Sequence, residues 1–458
     1  MRGTMINKSR KIMHRPHQLQ EMRQDAVKIF NAGLAAVDPE ICIHRCCRLE
    51  KNILTVGQQM YDLNTFEKII VIGAGKAGAS MACAVEEILQ NRITNGIVIV
   101  KYDHVETLKK IALVQAGHPV PDQNGIAGAE KLFKIAKDAH EKDLVICLIS
   151  GGGSALMTLP APGLTLKHKQ DTTEILLGCG ATIHEINTIR KHLSRIKGGL
   201  LAKTVCPATM ICLVLSDVVG DDLDTIASGP GVGDTSTFGQ CHKIIETHGI
   251  RNYLPKAVLQ HLEKGFNNLI PETPKKDHPL FKNVFHTIIA GNIDALLNAD
   301  KRAAQLGYHS QILSSMIQGE TRDVAAVHTA IAKEILATGH PLKPPACILS
   351  GGETTITLKG KGKGGRNQEF ALASAMGIKD MDNIVILSGG TDGTDGPTDA
   401  AGAIADQTTL QRAAALGFIP EQYLNTNNAY PFFDGLSDLF KTGPTNTNVM
   451  DIRVILIR

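Results

Sequence analysis

The chain has 458 residues, a formal net charge of +3 at pH 7 and a hydrophobic fraction of 43%. At roughly 100–200 residues per domain, this length predicts two or three domains. So small a charge lacks the basic stripe of a nucleic-acid-binding protein, and no apolar run reaches the roughly 18 residues of a transmembrane helix. Neither nucleic acid nor a membrane is therefore expected as a partner.

The first 15 residues are basic and contain no acidic side chain. They lack the apolar segment of a secretory signal, which leaves a transit peptide or an irregular N-terminus with Met5 as the start. Cysteines occur within apolar runs, as is typical of reduced core residues. Cys42, Cys46 and Cys47 suggest a metal site, but no second ligand pair follows at matching spacing, which favours a structural thiol cluster. We expect a cytoplasmic protein.

Short apolar runs rich in Val, Ile and Leu recur along the chain, and each ends in a glycine-containing loop. Amphipathic stretches such as residues 80–90 and 126–140 lie between them. This alternation predicts buried parallel strands joined by helices. The runs are EKIIVIGAGKAG, NGIVIVKYDH, DLVICLISGGGSA, ATMICLVLSDVVGDD, NVFHTIIAGN, PACILSGGETT and DNIVILSGGTDGTDG. A proline-rich break at residues 265–283 predicts the main boundary, and gives domains at 16–264 and 280–458.

The loop GAGKAG begins at Gly73 and fits the dinucleotide pattern G-x-G-x-x-G, with Gly75 as its second glycine. The pattern alone is weak, and the next run ends in Lys101, with no acid directly at its tip for a ribose. Lys76 lies inside the turn, where it could project a charge at a phosphate. These features favour an anion-binding turn over a purely structural one.

A second glycine loop, SGGGS, follows a later predicted strand and consists of Ser150, Gly151, Gly152, Gly153 and Ser154. Consecutive glycine N–H groups form nests that hold phosphates or oxyanions. The alternative is a sharp structural turn between a strand and a helix. A serine hydrolase is not expected, because Ser154 does not lie in a G-x-S-x-G elbow.

Two acidic loops also follow predicted strands. One begins with Asp217, and the other contains Asp392 and Asp395. Magnesium typically takes one or two carboxylates and fills its other sites with water and substrate phosphates. Any one of these aspartates could simply be solvated, but acidic loops together with cationic glycine loops are what phosphoryl transfer requires.

The segment KGKGKGGR places Lys359, Lys361, Lys363 and Arg366 among glycines. After a strand predicted at residues 354–358, Arg366 is expected at a helix N-terminus with Asn367 as the N-cap. A cation fixed there suits a bidentate contact with an anion. The three lysines are expected to be poorly held steering charges, and the alternative for the whole segment is a solvated loop.

The sequence resembles the glycerate 2-kinase family, of the type with a hydroxypyruvate-reductase-like N-terminal domain and a C-terminal MOFRL domain. The resemblance spans nearly the whole chain beyond the first 15 residues. The matching motifs are GAGKAG, AGHPVPD, SGGGSAL, APGLTL, EINTIRKHLSRIKGGLLA, SDVVGDDLDTIASGP, SGGETTITLKGKGKGGRNQEF, DGTDGPTDAAGA and TGPTNTNVMDIRVIL.

The resemblance implies phosphorylation of D-glycerate on its 2-hydroxyl by ATP with Mg²⁺, giving 2-phosphoglycerate and ADP. It implies two α/β domains, the first with a Rossmann-like parallel sheet and flanking helices, the second a smaller mixed MOFRL domain, with the active site in the cleft between them. Carried over by motif, the catalytic residues are Lys76, Asp217, Arg366 and Asp392.

Each of these residues has an expected role. Lys76 and the glycine loops hold phosphate, and Asp217 binds the metal or orients its water. Arg366 pairs with the glycerate carboxylate or with the moving phosphoryl group. Asp392 is a second metal ligand that accepts or orients the 2-hydroxyl proton.

Four further residues are assigned to substrate binding: Arg190, Lys197, Glu353 and Asp395. Arg190 and Lys197 form a basic set with Lys191, for which a solvated helix face is the alternative. The rival functions are a nicotinamide-dependent hydroxypyruvate reductase, supported by GAGKAG, and a non-catalytic metabolite-binding protein. A monomer and a homodimer are both compatible with the sequence.

Overall fold

The computed structural model describes residues 6–458, with side chains described from His17 onward. The chain forms two compact units. The parallel-sheet unit is Pro39–Ala290, and the mixed-sheet unit combines the residues up to Asp38 with Gly291–Arg458. Within the described residues, no helix combines the length and apolar character needed to span a bilayer. Whether residues 1–15 form a transit peptide stays a prediction, because their side chains are outside the described part of the structure.

The strands and helices are numbered in chain order. The strands are β1 (Cys47–Glu50), β2 (Ile53–Val56), β3 (Gln59–Asp62), β4 (Lys68–Ala74), β5 (Ile93–Lys101), β6 (Ile111–Ala116), β7 (Asp143–Ile149), β8 (Thr209–Leu215), β9 (Val284–Ala290), β10 (His309–Ile317), β11 (Ala346–Gly352), β12 (Ile384–Gly390), β13 (Gly402–Asp406), β14 (Leu439–Phe440) and β15 (Asp451–Ile457). The helices are α1 (Ile6–Ala36), α2 (Pro39–Cys46), α3 (Gly78–Leu89), α4 (Gln123–Lys137), α5 (Gly153–Leu156), α6 (Leu166–Gly178), α7 (Ile183–His192), α8 (Leu200–Val205), α9 (Phe238–Thr247), α10 (Lys256–Phe266), α11 (Asn292–Gln305), α12 (Thr321–Thr338), α13 (Arg366–Gly377), α14 (Thr409–Ala415), α15 (Pro420–Asn425) and α16 (Ala429–Gly435).

The main sheet of the parallel-sheet unit has the order β6-β5-β4-β7-β8-β9, and every neighbouring pair is parallel. In chain order this is the 3-2-1-4-5-6 arrangement of a Rossmann fold. The strands are continuous apolar runs because both faces of the sheet are covered, and every residue of β7 is buried. The prediction of a Rossmann-like parallel sheet is confirmed. A small antiparallel sheet, β1-β2-β3, belongs to the same unit.

The sheet of the mixed-sheet unit has the order β10-β11-β15-β12-β13-β14. Only the β10–β11 pair is parallel, and the pairs from β11 to β14 are antiparallel. The last strand in chain order, β15, lies between β11 and β12 and is buried at every residue. Helix α1 packs in this unit, where the rings of Phe30 and Phe440 meet edge to face at 4.9 Å. The predicted mixed α/β second domain is confirmed.

The division into units differs from the domains predicted at 16–264 and 280–458. Strand β9 pairs with β8, so the parallel-sheet unit continues to Ala290. The proline-rich segment lies inside this unit as a tethered loop, since the Asp234 N–H donates to the Pro274 carbonyl at 2.9 Å. Helix α1 belongs with the C-terminal half because its apolar face packs there, and the Thr447 hydroxyl donates to the Val37 carbonyl at 2.7 Å.

Two local predictions also need correction. The strand predicted at residues 354–358 is absent from the sheets, and the segment makes a single bridge between Thr355 and Glu320. Asn367 is not the N-cap of α13, because the helix begins at Arg366 and its N-cap is Gly365. Glycine is required at residue 365 by close packing, since a Cβ there would lie 2.4 Å from the Asp395 side chain.

Candidate active site

The strand order of the parallel sheet reverses between β4 and β7. Chain connections run outward in opposite directions from these two strands, which opens a crevice at their carboxyl ends. Both glycine loops predicted to bind anions lie there, since the first includes the last two residues of β4, Gly73 and Ala74, and the second begins directly after Ile149 at the end of β7. The topology therefore brings the two loops to the place where α/β sheets bind ligands.

Direct contacts join the two loops. The Lys76 N–H donates to the Gly151 carbonyl at 2.8 Å, and the Ala77 N–H donates to the Ser150 hydroxyl at 3.1 Å. Gly75 has φ +152°, and a Cβ there would lie 1.9 Å from Ser150 Oγ. A side chain at residue 75 would therefore separate the loops. The two glycine loops form one structure, which we call the glycine cradle (residues 73–78 and 150–154).

Two basic side chains, Lys76 and His118, adjoin the cradle at Gly152. A Cβ on Gly152, whose φ is +80°, would lie 2.8 Å from Cδ2 of His118 and 3.4 Å from Cγ of Lys76. Lys76 thus lies where the sequence predicted. His118 was missed, although its motif AGHPVPD follows β6 and so begins at the same edge of the sheet. A histidine directly after a strand of this sheet was the available signal.

A chain of hydrogen bonds fixes Ser154 at the end of the cradle. Ser228 can donate to Asn187 Oδ1 at 3.2 Å, so its single proton is used there. The Ser154 hydroxyl therefore donates to the Ser228 hydroxyl at 2.9 Å. Ser154 Oγ in turn accepts a hydrogen bond from Lys197 Nζ at 2.8 Å. Lys197 also donates to the carbonyls of Ser154 at 2.7 Å and Ala227 at 3.5 Å.

Lys197 is therefore a supporting residue of the cradle. Its side chain is 1% exposed, and its Nζ lies within hydrogen-bonding distance of three protein acceptors. Burial, followed by Lys169 and Arg190, lowers the pKa of Lys197 well below its ordinary value. We expect it to hold Ser154 in place, and this revises the predicted direct contact with substrate.

In the acidic loop after β8, Asp217 lies near the cradle's edge of the sheet, whereas Asp222 stabilises the loop itself. Asp217 is half-buried and lies two residues beyond the end of β8, at the same edge of the sheet as the cradle. Asp222 accepts from the Asp224 N–H and the Thr225 hydroxyl, at 3.1 and 2.7 Å, and so stabilises the loop. Three consecutive buried residues, 227–229, have positive φ, and only the last is glycine. Such strain is common at functional sites.

Arg366 begins α13 in the mixed-sheet unit and is already paired. Its Nε and Nη2 donate to the two carboxylate oxygens of Asp451 at 2.7 and 2.9 Å, and its Nη1 lies 2.8 Å from Glu353 Oε1. Burial opposes the charge, but Asp451 and Glu353 raise the pKa of Arg366 above its ordinary value. The predicted residues Arg366 and Glu353 are thus brought together. Since each terminal nitrogen carries two N–H groups, one on each can still reach a further anion.

Asp395 is a helix cap. Its carboxylate accepts from the N–H groups of Asn367 and Gln368 at 3.0 and 2.8 Å, and the side chain is 2% exposed. Burial raises its pKa to about 7, although the two N–H groups act in the opposite direction. This position revises the predicted substrate contact, because the carboxylate is occupied in holding the start of α13.

Asp392 remains a candidate for contact with ligands. It follows β12 and is half-buried, and its Oδ1 accepts from the N–H and the hydroxyl of Thr394, both at 3.1 Å. Among the described residues no group of three or more His, Cys, Asp or Glu side chains is arranged to hold a metal ion. Asp217 and Asp392 belong to different units.

The lysine-rich loop is better held than its sequence suggested. The N–H groups of Lys359 and Gly360 donate to Asn427 Oδ1 at 2.7 and 3.0 Å. A Cβ on Gly360 would lie 2.4 Å from the Thr426 carbonyl oxygen, and one on Gly362 would lie 2.5 Å from an Asn428 side-chain atom. The glycines therefore pack inward. Lys359, Lys361 and Lys363 are all exposed.

Comparison with known proteins covers both units. The family model described as a domain of unknown function (DUF4147) matches residues 25–263, and the MOFRL family model matches residues 346–451. A glycerate 2-kinase of Pyrococcus horikoshii is 39% identical over 95% of this chain and 98% of its own length. A D-glycerate 2-kinase of Thermotoga maritima is 38% identical over 96% of this chain and 99% of its own. The crystal structure of a Thermotoga maritima glycerate kinase matches with a TM-score of 0.84 and 37% identity, over 96% of this chain and 100% of that one.

Proposed function

This chain belongs to the glycerate kinase family that combines DUF4147 and MOFRL domains, and from that premise we propose that it transfers the terminal phosphoryl group of ATP to the 2-hydroxyl of D-glycerate. The products are 2-phosphoglycerate and ADP. One observation of the structure carries the proposal: a glycine cradle bearing Lys76 lies at the switch point of a Rossmann sheet.

The cradle suits the phosphates of the nucleotide. Most N–H groups of the cradle donate to protein acceptors, but those of Gly151 and Gly152 do not within the described residues, and successive glycine N–H groups of this kind bind phosphate oxygens. Lys76 adds a positive charge beside Gly152. His118, which also adjoins Gly152, is assigned to the same phosphates. Lys197 and Ser154 hold the end of the cradle in position, so little reorganisation is needed when charge develops in the transition state.

The acceptor side of the proposal uses Asp392 and Arg366. Asp392 orients the 2-hydroxyl and accepts its proton. Orientation contributes more than basicity, because a loose phosphoryl transition state needs little proton abstraction. Arg366, fixed by Asp451, presents its remaining N–H groups to an anion of the substrate or to the moving phosphoryl group.

Asp217 and Asp392 are proposed as ligands of Mg²⁺. Their carboxylates are hard oxygen donors of the kind that magnesium uses, and one or two protein carboxylates suffice when phosphates and water complete the shell. When bound, magnesium neutralises charge on the nucleotide phosphates.

Oxidoreduction is the second candidate, because the 3-2-1-4-5-6 strand order and the G-x-G-x-x-G turn also occur in dinucleotide-binding domains. Such domains place an acid at the end of the second strand to bind the ribose. Here that strand is β5, and it ends at Lys101. Incubation with D-glycerate and NAD or NADP is expected to give no change in absorbance at 340 nm, whereas incubation with Mg-ATP is expected to yield ADP.

The position of phosphorylation provides the test of the proposed function. The product of D-glycerate and Mg-ATP is expected to be converted to phosphoenolpyruvate by enolase alone, because enolase acts on 2-phosphoglycerate. The reaction is followed by the absorbance of phosphoenolpyruvate. A product that enolase leaves unchanged until phosphoglycerate mutase is added would show phosphorylation of the 3-hydroxyl and overturn the assignment.

The metal requirement is a separate prediction. We expect EDTA to abolish ADP formation and excess Mg²⁺ or Mn²⁺ to restore it, because Asp217 and Asp392 offer hard oxygen ligands. Asp217→Asn should raise the Mg²⁺ concentration for half-maximal activity at fixed ATP. Full activity in EDTA, or an unchanged metal dependence in Asp217→Asn, would contradict the metal assignment and leave the phosphoryl transfer itself untouched.

A further inference from the structure

Three cationic side chains of the parallel-sheet unit, Lys169, Arg190 and Lys197, lie together; we call them the cation cluster. Lys169 is 6% exposed, Lys197 is 1% exposed and Arg190 is half-buried. Lys169 reaches from α6 to the end of α7, where its Nζ donates to the carbonyl of Leu193 at 3.4 Å. Arg190 lies in the last turn of α7 and is close enough to both lysines to lower the pKa of each.

No carboxylate balances these charges within the described residues. The guanidinium of Arg190 donates no hydrogen bond and joins no ion pair there, and burial alone lowers its pKa. Its neighbour Lys191 is the opposite case. Lys191 Nζ bonds Asp224 at 2.6 Å and Asp234 at 3.2 Å, so the nearby carboxylates are already used. Arg190 and Lys191 are therefore adjacent on one helix, but of the two only Lys191 is paired with carboxylates among the described residues.

Such an arrangement costs free energy unless an anion binds. A buried charge without a partner is strongly disfavoured, and the negative end of the α7 dipole offsets only part of that cost. Burial, reinforced by Arg190, lowers the pKa of Lys169 to about 7. Near neutral pH Arg190 therefore carries its full charge and Lys169 a share of one, a positive charge that a small anion would offset.

The cluster is linked to the glycine cradle through α7. Asn187 and Arg190 are three residues apart and so lie on the same face of the helix. Asn187 accepts from Ser228, which bonds Ser154 at the end of the cradle. Lys197 connects the two sites directly through its bonds to Ser154. An anion held by Arg190 would therefore lie beside the place assigned to the phosphates.

We infer that the cation cluster binds the carboxylate of the hydroxy-acid acceptor, an inference that rests on the proposed function. Arg190 is the contacting residue, because its planar fork matches a carboxylate bidentately. Lys169 supplies the second charge. Lys197 makes no direct contact with the anion, since its donors are taken by the protein. The nucleotide phosphates are left to the cradle and Lys76.

Calorimetric titration of the full-length protein tests this assignment. D-glycerate, its neutral amide and inorganic phosphate are titrated with and without a non-hydrolysable ATP analogue. Arg190→Gln is expected to raise the Kd for D-glycerate by about 10²-fold, as for the loss of a desolvated charge partner, and Arg190→Lys by less. The wild type should bind the amide as weakly as Arg190→Gln binds D-glycerate. Lys167→Met is the control on α6, because Lys167 is exposed and paired with Asp171.

A proton count gives a readout that a purely structural role would not change. At pH 8, Lys169 is mostly neutral before binding, and a bound anion should raise its pKa, so D-glycerate binding should take up protons. Arg190 from α7 and Lys197 are the charged groups that face it. The uptake is measured by titration in buffers of different ionisation enthalpy. It should fall in Lys169→Met, where only Lys197 of the two lysines remains to take up a proton, and it should be unchanged in Lys167→Met.

The outcomes separate this inference from the proposed function. Loss of D-glycerate binding in Arg190→Gln with an unchanged Kd for the non-hydrolysable ATP analogue supports the inference, even if the wild type proves not to phosphorylate glycerate. An unchanged Kd for D-glycerate in a folded Arg190→Gln variant overturns it, even if the kinase activity is confirmed. Weakened binding of phosphate or ATP alone would also overturn it, by assigning the cluster to phosphate.

Discussion

Replacement of Arg366 by lysine is expected to lower kcat/KM for D-glycerate phosphorylation by about 10²–10³-fold, as for other lost charge-assisted contacts in closed sites. Lysine is a point charge and cannot reproduce the fork that holds Asp451 through Nε and Nη2 while Nη1 contacts Glu353. The fold should persist, because Asp451 keeps its bonds from Asn367 at 2.9 Å and Arg453 at 3.2 Å. Steady-state kinetics with D-glycerate as the varied substrate measure the loss.

Lys361→Ala is the matched control from the neighbouring loop. Its side chain is exposed, so the expected loss is on the order of tenfold or less and comes mainly from weaker steering of anionic substrates. That loss should fade as ionic strength rises, whereas the loss in Arg366→Lys should persist. Circular dichroism establishes that both variants are folded. If both lost activity equally and salt removed both losses, Arg366 would be one member of a diffuse positive patch and no longer a specific contact.

Lys191→Met is expected to lower the free energy of unfolding by about 3–5 kcal/mol, the usual cost of removing one partner of a buried ion pair. Lys191 is 3% exposed and bonds both Asp224 and Asp234. Methionine would fill much of the space but would leave the fully buried Asp234 without its cation. Urea denaturation followed by circular dichroism measures the change. Lys203→Met, at an exposed position on α8, should change stability by less than about 0.5 kcal/mol.

The pH dependence of the Lys191→Met loss distinguishes charge from packing. Burial alone would raise the pKa of Asp234, but Lys191 and Ser236 hold it below its ordinary value. In the wild type this contributes stability above the ordinary aspartate pKa, and the contribution is lost as pH falls through the lowered value. In the variant the Asp234 pKa should be raised, so protonation on mild acidification should recover part of the stability. A loss independent of pH between 5 and 8 would point to packing.

The fold could be predicted well where the local pattern determined the structure. The apolar runs that became β4, β7 and β8 are buried on both faces, so they are continuous and easily recognised. The partners of α1 could not be predicted, because its contacts are with residues more than 250 positions later in the chain. The proline-rich segment resembled a linker because proline marks irregular backbone, whether that backbone is tethered or not.

The backbone loops of the candidate site could be predicted from the sequence, but the pairing of its charged side chains could not. The glycine loops were found because only glycine tolerates the positive φ of Gly152 and the close approach at Gly75. Sequence could not distinguish Arg190 from Lys191, since their different pairing depends on Asp224 and Asp234 from distant loops. Asp395 was taken for a substrate contact because a helix cap supplied by another segment leaves no local signal.

The place of β15 in the mixed sheet has a consequence for how the protein is made on the ribosome. The residues of Pro39–Ala290 are contiguous, so this unit has its complete sequence well before synthesis ends. The other unit does not, because α1 emerges first and the strand between β11 and β12 is translated last among the described strands. At about 5–20 residues per second, α1 waits roughly 10–50 s for α11. During that interval the apolar face of α1, including Phe30, lacks the partners that bury it in the folded protein.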